Sequence, residues 1–461
     1  MTGDTLLPLA VLIPWVLAAA LALADGRRPL VGWVSVAGLG AGFACVLGLT
    51  FAVLGNGPVE MVAGGWPEGV GITLRADALG VTFSAVSVGV ILVSLVYEVL
   101  GGVRSRTFPA LVAFMAAGLT GLFLTGDAFN FYVFFEISMT AAYALTGYRE
   151  KDYQVRAAFI FAVINLLGSV IFLIAVAALY HVTGTLDMEV MAERAARVRP
   201  SSIISIAVAV FVAFSLKLGL FPFHFWLPAV YVGSHAPVAA ILSGALANIG
   251  GYGLLRFGAD VLPRELELGT AAVLVLGTAS ILYGALQAIS RHEIVEVLAY
   301  SAIGQAGYIL VALAIGGPVG YTAAVVYAVI NSLNKALLFL AAGAGGRFVG
   351  AAFAVGAFSV VGVPPVAGFV GKLAMFRASV GAGSVALTAL IFLGGALSFV
   401  YAFQVYQRAY WTPEGGKGKA SPSPVLALVL LLAGLVLALG LWPEPLLVLG
   451  EAAAGALLEG P

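Results

Sequence analysis

The 461-residue sequence has few charged residues and a single cysteine, Cys45. Only 10% of its residues are Asp, Glu, Lys or Arg, whereas 62% are hydrophobic and the mean hydropathy is +1.08. A soluble protein of this length needs a wetted surface that so few polar residues cannot supply. The net charge is zero, so no basic surface predicts a nucleic-acid partner. One cysteine cannot ligate an iron–sulfur cluster, and the four histidines show no metal-binding spacing, so neither a cofactor nor a metal is predicted.

Long apolar runs follow one another along the whole chain, and many reach 18 residues or more. A helix needs about 20 residues, at 1.5 Å per residue, to cross a hydrocarbon core of about 30 Å. The runs therefore predict an all-α polytopic membrane protein, with a single integral membrane domain over residues 1–461. We predict about fourteen spans in the lipid bilayer, numbered in chain order: 6–24, 31–54, 78–99, 108–126, 128–147, 157–180, 202–222, 237–258, 268–288, 295–315, 319–345, 351–379, 384–407 and 424–446.

The positive charges of the connecting loops predict an orientation. Lys and Arg are enriched in cytoplasmic loops, and the loops on one side of the predicted spans hold twelve of them, against seven on the other side. With fourteen spans, both termini then lie outside a cell inner (plasma) membrane. The cytoplasmic set is Arg27, Arg28, Arg104, Arg106, Arg149, Lys151, Arg156, Arg291, Arg347, Arg408, Lys417 and Lys419, and the other set is Arg75, Arg194, Arg197, Arg199, Arg256, Arg264 and Arg377.

Four ionisable residues lie inside apolar spans rather than in loops. Three are lysines, Lys217 in FSLKLGL, Lys335 in NSLNKALLFL and Lys372 in GFVGKLAMF, and the fourth is Glu136 in FNFYVFFEISM. Each costs about 2.5–3.5 kcal/mol at the centre of a membrane helix. Burial destabilises an ammonium and a nearby carboxylate stabilises it, so movement of Glu136 relative to a lysine would load and unload a proton. The pattern predicts a proton relay without a catalytic nucleophile. A static ion pair of Glu136, or a Lys372 that reaches the headgroups, are the alternatives.

Proline pairs predict breaks in two of the spans. Pro222 and Pro228 lie in or just after span 7, and Pro364 and Pro365 lie in span 12. Prolines interrupt a helix, and a broken helix is tolerated in a membrane where the freed backbone groups line a polar cavity. Because the two breaks are five spans apart, they favour an internal repeat of five helices. The first repeat would cover about 108–258 and the second about 268–407.

Two histidines, His224 and His235, flank the first predicted break in FPFHFWLPAVYVGSHAP. A histidine beside a break could give protons access to the relay. An interfacial histidine without a transport role fits the same pattern.

Several long motifs resemble the antiporter-like membrane subunits shared by Mrp-type cation/proton antiporters and complex I. They are LTGDAFNFYVFFEISMTAAYAL, FPFHFWLPAVYVGSHAPVAAILSGAL, LAYSAIGQAGY, NSLNKALLFL and PPVAGFVGK. GGWPEGVGI, TGDAFNFYVFFE and GTLDM in particular resemble the D-type member of Mrp antiporters. The resemblance covers nearly the whole chain. It implies fourteen helices with both termini outside, two inverted five-helix repeats (helices 4–8 and 9–13), and broken helices 7 and 12.

The same resemblance implies roles for the four buried ionisable residues. Glu136 matches the glutamate of helix 5 and Lys217 the lysine of helix 7, which would form a switching ion pair. Lys335 and Lys372 match the buried lysines of the second half, with Lys372 near the far exit. Together with water they would form a polar axis along the middle of the membrane.

Three positions depart from the pattern of this family. In ALANIGGY, Asn248 stands where many members have a lysine, and an asparagine can hold a water chain but cannot carry a proton itself. Val295 and Glu296 replace a basic pair, and Gln305 replaces a histidine.

Three functions are compatible with the sequence. The first is the proton-translocating subunit of a multisubunit cation/proton antiporter that exchanges Na⁺ or K⁺. The second is a proton-pumping membrane-arm subunit of a complex I-like NADH:quinone oxidoreductase or a membrane-bound hydrogenase. The third is a non-conducting scaffold subunit, which the departures at Asn248 and Val295 allow. In all three the partners are other membrane subunits, and the chain itself carries no visible redox or hydrolytic centre.

Overall fold

The computed structural model describes residues 3–66, 71–149, 151–346, 348–411 and 421–458. In these residues twelve helices are long and apolar enough to cross a membrane. A shorter apolar helix, Phe108–Phe123, occupies the place of span 4, and two short helices separated by a break occupy that of span 12. Helices are the expected result, because a chain in lipid must satisfy its backbone polar groups internally. The prediction of an all-α polytopic membrane protein with about fourteen spans is confirmed.

The first seven spans are formed by the following elements, with span 7 broken into shorter pieces. The helices are α1 (Gly3–Ala22), α2 (Pro29–Asn56), α3 (Ala78–Gly101), α4 (Phe108–Phe123), α5 (Ala128–Gly147), α6 (Asp152–Thr183), the short surface helix α7 (Met188–Ala195), and span 7 as α8 (Pro200–Leu218), a 3₁₀ turn (Phe223–Trp226) and α9 (Leu227–Gly233).

Span 8 combines α-helical and π-helical turns, and it is among the most deeply buried spans, together with spans 10 and 11. It consists of α10 (Ala236–Ile241), a π-helical turn (Leu242–Leu246), α11 (Asn248–Gly253) and a second π-helical segment (Leu254–Val261). The later helices are α12 (Pro263–Ile289), α13 (Ile294–Ile315), α14 (Gly317–Gly343), α15 (Val349–Val361), α16 (Ala367–Gly381), α17 (Val385–Tyr406), α18 (Ser423–Leu441) and α19 (Glu444–Leu458).

Both predicted breaks are present, and they share a local pattern. Gly219 ends α8 at φ 70° and Gly362 ends α15 at φ 88°, each three residues before a proline that follows a cis peptide bond. A positive φ favours glycine, and a Cβ on Gly219 would lie 2.4 Å from the side chain of Leu227. The predicted breaks in spans 7 and 12 are therefore confirmed. The two inverted repeats, over 108–258 and 268–407, stay a prediction.

A small β-hairpin marks one end of the bundle, which we call the hairpin end. Strand β1 (Val59–Val62) pairs antiparallel with β2 (Thr73–Ala76) in the loop between α2 and α3. The buried Arg256 of span 8 joins this loop to the bundle, because its guanidinium bonds Asp77 at 2.5 Å. Asp260, one turn along the same segment, bonds the guanidinium at 2.8 Å. Burial raises the pKa of the hairpin residue Glu60, although Arg75 lies 3.2 Å away and opposes the shift.

Helix α19 is an element that the sequence did not predict as separate. It follows α18 after two residues and packs against α14 and α3. The contact with α14 is close, since a Cβ on Gly450 would lie 2.5 Å from Val326. Four residues or segments that carry predictions lie outside the described residues: Arg347, Lys417 and Lys419 of the loop charges, and residues 67–70 of the GGWPEGVGI motif.

Candidate proton-relay site

Lys217 lies in the last turn of α8, directly before the break of span 7, and is 6% exposed. Its Nζ donates hydrogen bonds to the backbone oxygen of Asn165 at 2.9 Å and to the Ser169 hydroxyl at 3.0 Å, both on α6. The ammonium also lies 4.1 Å from the centre of the Phe135 ring on α5. The structure thus holds this charge by specific contacts inside the bundle.

Glu136 follows Phe135 on α5, so it lies beside the helix face that contacts Lys217. Its Oε1 is buried and has no hydrogen-bond partner among the described residues. The ammonium of Lys217 is instead bonded to α6. The structure therefore shows the two groups on neighbouring helices, with the ammonium bonded to α6 and no ion pair between it and the carboxylate. The switching ion pair between them stays a prediction.

The first break is fixed by contacts to its freed backbone groups. The Phe221 amide donates to the Ser280 hydroxyl of α12 at 3.1 Å, and the Trp226 indole donates to the Leu216 carbonyl at 3.0 Å. These bonds satisfy groups that a continuous helix would have paired itself. The break holds Lys217 at the end of a helix, where a lysine also interacts favourably with the helix dipole.

Asn248 lies between the two halves of the bundle. Its side-chain nitrogen donates to the Ser87 hydroxyl of α3 at 3.0 Å and to the Gly244 carbonyl at 3.2 Å, and its oxygen accepts from the Ser332 hydroxyl of α14 at 3.0 Å. The neighbours of Asn248, residues 247 and 249, line the same small cavity as Lys217. Asn248 therefore connects the Lys217 region to α14.

Lys335 is fully buried on α14, one turn from Ser332. Its Nζ donates to the Leu298 carbonyl at 3.2 Å and to the Ser301 hydroxyl at 3.0 Å, both on α13. The second lysine thus repeats the arrangement of the first, in which one backbone oxygen and one serine hydroxyl hold the ammonium.

Lys372 lies on α16 behind the second break and is 4% exposed. Its Nζ lies 3.2 Å from the centre of the Tyr308 ring and 5.5 Å from that of Tyr327. It has no hydrogen-bond partner among the described residues. The ring faces attract a cation, and Gly362 makes room for the side chain, since a Cβ there would lie 2.4 Å from the lysine Cγ. Lys372 is buried rather than extended to the headgroups, so the snorkelling alternative is wrong.

The two histidines lie in different surroundings. The His224 ring stacks on Phe221 with centroids 5.6 Å apart and contacts the tilted ring of Tyr283 at a centroid distance of 4.4 Å. Its Nδ1 is buried without a hydrogen-bond partner among the described residues. His235 lies at the end of the bundle opposite the hairpin, with its Nδ1 3.5 Å from Glu98 and 3.3 Å from Arg149. Their proposed part in proton access stays a prediction.

The pKa of His235 is lowered to about 3 by burial and by the positive charges of Arg149, Arg104 and Lys151. The nearby Glu98 carboxylate favours a charged imidazole, but Arg149 contacts the same carboxylate at 3.3 Å and neutralises it. The imidazole is therefore neutral at physiological pH.

Sequence reasoning found the charged residues of this site but not their hydrogen-bond partners. The partners are small polar residues, which occur throughout packed membrane helices and give no distinct signal. Lys217 bonds Ser169 and Lys335 bonds Ser301, and Asn248 bonds Ser87 and Ser332.

Comparisons with known proteins identify the family of this chain. Residues 125–347 match the family model described as NADH:quinone oxidoreductase/Mrp antiporter, TM. The N-type subunit of the NADH-quinone oxidoreductase of Desulforudis audaxviator is 32% identical over 82% of this chain and 83% of its own length. The chain belongs to this family of antiporter-like membrane subunits.

Other members match over almost the whole length. The D-type subunit of the Na(+)/H(+) antiporter of Alkalihalophilus pseudofirmus is 29% identical over 99% of this chain and 98% of its own. A chain of the Mrp complex from a Dietzia species superimposes with a TM-score of 0.90 at 27% identity, covering 100% of this chain and 98% of that one. This antiporter-like protein thus has the fold of chains that work inside multisubunit membrane assemblies.

Proposed function

We propose that this chain is the proton-translocating, D-type subunit of a multisubunit cation/proton (Na⁺/H⁺) antiporter. The observation that carries the proposal is the placement of three lysines, none more than 6% exposed, inside the membrane spans. The match to the D-type subunit of a Na(+)/H(+) antiporter over nearly the full chain supports the same function. Its partners would be the other membrane subunits of the antiporter, and its substrates protons and Na⁺ or K⁺.

In this proposal Glu136, Lys217, Lys335 and Lys372 relay the protons. Three buried ammonium groups together oppose folding by about 8–10 kcal/mol, a large fraction of the 5–15 kcal/mol that stabilises a typical protein. Groups so unfavourable persist mainly on ion pathways. Lys217 can exchange its α6 contacts for Glu136 on the neighbouring helix, which would change its proton affinity.

The proposed location is the cell inner (plasma) membrane, with both termini outside. The even number of spans and the excess of Lys and Arg in one set of loops support this orientation. The hairpin end would then face outward, and the end with His235 and Glu98 would face the cytoplasm.

The transport proposal can be tested in everted membrane vesicles that contain the complete complex. A pH-sensitive dye would report a respiration-driven proton gradient, and added Na⁺ or K⁺ should partly collapse it. Lys335→Met should abolish the cation-dependent response because it removes a fully buried proton carrier. Lys151→Met, in a loop, is the matched control and should behave as wild type. A normal response of Lys335→Met in an assembled complex would contradict the relay.

A second candidate is a proton-pumping membrane-arm subunit of a complex I-like enzyme. The identity of 32% to an N-type subunit favours it. The native complex should be solubilised gently and purified through this chain, and its companions identified by mass spectrometry. Small hydrophobic antiporter subunits alone support the first function, whereas companions with iron–sulfur, flavin or nickel centres support the second.

The third candidate is a non-conducting scaffold subunit. The observation that favours it is the amide of Asn248, which bonds side chains of two other helices and carries no charge. A scaffold function predicts that lysine substitutions leave transport by the complex intact. The vesicle assay therefore decides between a scaffold and a conducting subunit.

A further inference from the structure

A series of buried, hydrogen-bonded side chains leads from Lys335 to Tyr327, whose ring centre lies 5.5 Å from the Lys372 ammonium. The series leads from the Ser301 hydroxyl, which accepts from Lys335, to Tyr401 of α17, then to Gln305 of α13 and Tyr327 of α14. We call these four residues the hydroxyl–amide chain. Each of them is at most 4% exposed.

The geometry of the chain is well defined on the Lys335 side. Ser301 Oγ lies 3.0 Å from Tyr401 Oη, and Tyr401 also donates to the Ser398 hydroxyl at 3.2 Å. A hydroxyl both donates and accepts a hydrogen bond. A proton that leaves the Lys335 ammonium can pass to Ser301 only as that hydroxyl releases its own proton to Tyr401 and Tyr401 releases its proton to a further acceptor. The Ser398 hydroxyl is not such an acceptor, because it donates in turn to the Gly394 carbonyl, which cannot pass a proton on. A balanced transfer therefore needs an acceptor on the Gln305 side of Tyr401.

Gln305 interrupts this path. Its Nε2 donates to Tyr401 Oη at 3.3 Å, and its Oε1 accepts from the Tyr327 hydroxyl. An amide nitrogen that donates has no lone pair to accept a proton from Tyr401. If the amide is rotated by 180°, its oxygen faces Tyr401 and its nitrogen faces Tyr327, and the same obstacle remains. An amide joins hydroxyls structurally but does not pass a proton between them.

We propose that the Gln305 amide blocks proton transfer between Lys335 and Lys372, so that each lysine exchanges protons separately. Tyr401 and Ser301 share protons with Lys335 on one side of Gln305, and the Tyr327 ring contacts Lys372 on the other. A proton crosses between the lysines only when the chain opens at Gln305. This inference rests on the proposed function, and it makes Gln305 and Tyr401 positioning residues for the relay.

A packing role alone does not account for the arrangement. Gln305 holds three helices together, as its bonds to Tyr401 of α17 and Tyr327 of α14 show. A non-polar side chain of similar volume would fill this space but would break the hydrogen bonds to both tyrosine hydroxyls. An amide differs because it bonds both tyrosine hydroxyls and still carries no proton, and the lysines lie at the two ends of the chain.

The experiment measures passive proton leak in liposomes that contain the purified complex, with no exchangeable Na⁺ or K⁺ present. Gln305→His places an imidazole between the two tyrosines, and an imidazole accepts a proton at one nitrogen while it donates at the other. We expect this variant to raise the leak about tenfold or more, as a positioned proton carrier does. The leak should depend on pH in the range where an imidazole titrates. Gln305→Met, which removes the bonds without adding a carrier, should not leak.

Two results would overturn the proposal. Equal proton leaks in Gln305→His and Gln305→Met, with no dependence on pH, would mean that Gln305 only keeps the three helices packed together. No leak in either variant would mean that Gln305 does not separate the lysines. The leak assay does not depend on cation exchange. A wild-type complex that shows no Na⁺- or K⁺-dependent transport therefore counts against the proposed function and leaves this test valid.

A second variant covers the case in which Gln305→His fails to assemble. Tyr401→Phe keeps the ring and removes the hydroxyl next to Ser301, so cation-dependent proton transport should fall about tenfold or more. Tyr406→Phe, on the same helix and packed against Tyr410, is the matched control and should transport as wild type. Equal rates in Tyr401→Phe and Tyr406→Phe would contradict a role of Tyr401.

Discussion

Replacement of Lys217 by methionine separates a transport role from a structural one, because the two roles predict different effects on stability. The buried ammonium opposes folding by about 2.5–3.5 kcal/mol. Its two hydrogen bonds offset this, at about 1.5–3 kcal/mol each for a charged donor. Neither acceptor is left unpaired in the variant, because the Ser169 hydroxyl also bonds the Asn165 carbonyl at 3.0 Å. We therefore expect Lys217→Met to lower the free energy of unfolding by about 0–3 kcal/mol.

The same substitution should reduce cation-dependent proton transport about a hundredfold or more, because a proton carrier is removed. If Lys217 were instead half of a static ion pair with Glu136, its loss would leave a buried carboxylate alone and destabilise the protein by about 3–5 kcal/mol. The measurements are the thermal midpoint of the purified complex and the vesicle transport rate, made on the same preparation. A large loss of stability with normal residual transport per assembled complex would refute the reasoning.

Lys217→Arg tests whether the proton itself must leave. Arginine keeps the positive charge and the donors but does not deprotonate in proteins. The relay therefore predicts that Lys217→Arg is as inactive as Lys217→Met. Lys151→Arg, in a loop, serves as the control. Transport near the wild-type rate in Lys217→Arg would show that a fixed charge is enough.

Three further predictions concern other parts of the molecule. Gly219→Ala should destabilise by about 1–3 kcal/mol, because a Cβ is strained at φ 70° and collides with Leu227; the thermal midpoint checks this. Arg256→Gln should destabilise by about 3–5 kcal/mol, because it leaves the Asp77 carboxylate buried without its main partner; Asp77→Asn, made together with it, should recover part of the loss. The pKa of His235, lowered to about 3, means that protonation opposes folding. Stability is then full above about pH 6.5 and falls as the pH decreases, so His235→Gln should lose less thermal stability than wild type between about pH 6.5 and 4.

The fold could be predicted from the sequence because hydrophobic runs of membrane-crossing length leave few alternatives. The breaks in spans 7 and 12 could also be predicted, since prolines cannot continue a helix. Helix α19 was not predicted as separate, because a 15-residue apolar stretch is too short for a span and its place depends on the contact of Gly450 with α14. A contact between two helices does not produce a periodic hydrophobic pattern in the sequence.

The charged residues of the site were predictable for a related reason. A lysine or glutamate within an apolar run is rare enough to stand out, as Lys335 does. Its partner could not be identified in the same way, because Ser301 is one of many small polar residues in the spans. The direction in which Lys217 points was also beyond the sequence, since α6 and Glu136 both lie within its reach.

The two amides in the middle of the bundle bear on how the three lysines can work together. Asn248 and Gln305 each lie between ionisable groups, and each is bonded to side chains of two other helices. An exchanger must prevent protons from passing unless a cation also moves, since a continuous proton path would dissipate the gradient. Amides meet this requirement because they keep the helices in contact without a titrating group. The amides at Asn248 and Gln305 are therefore compatible with a coupled antiporter as well as with a non-conducting scaffold. The three buried lysines, which a scaffold does not need, favour the antiporter.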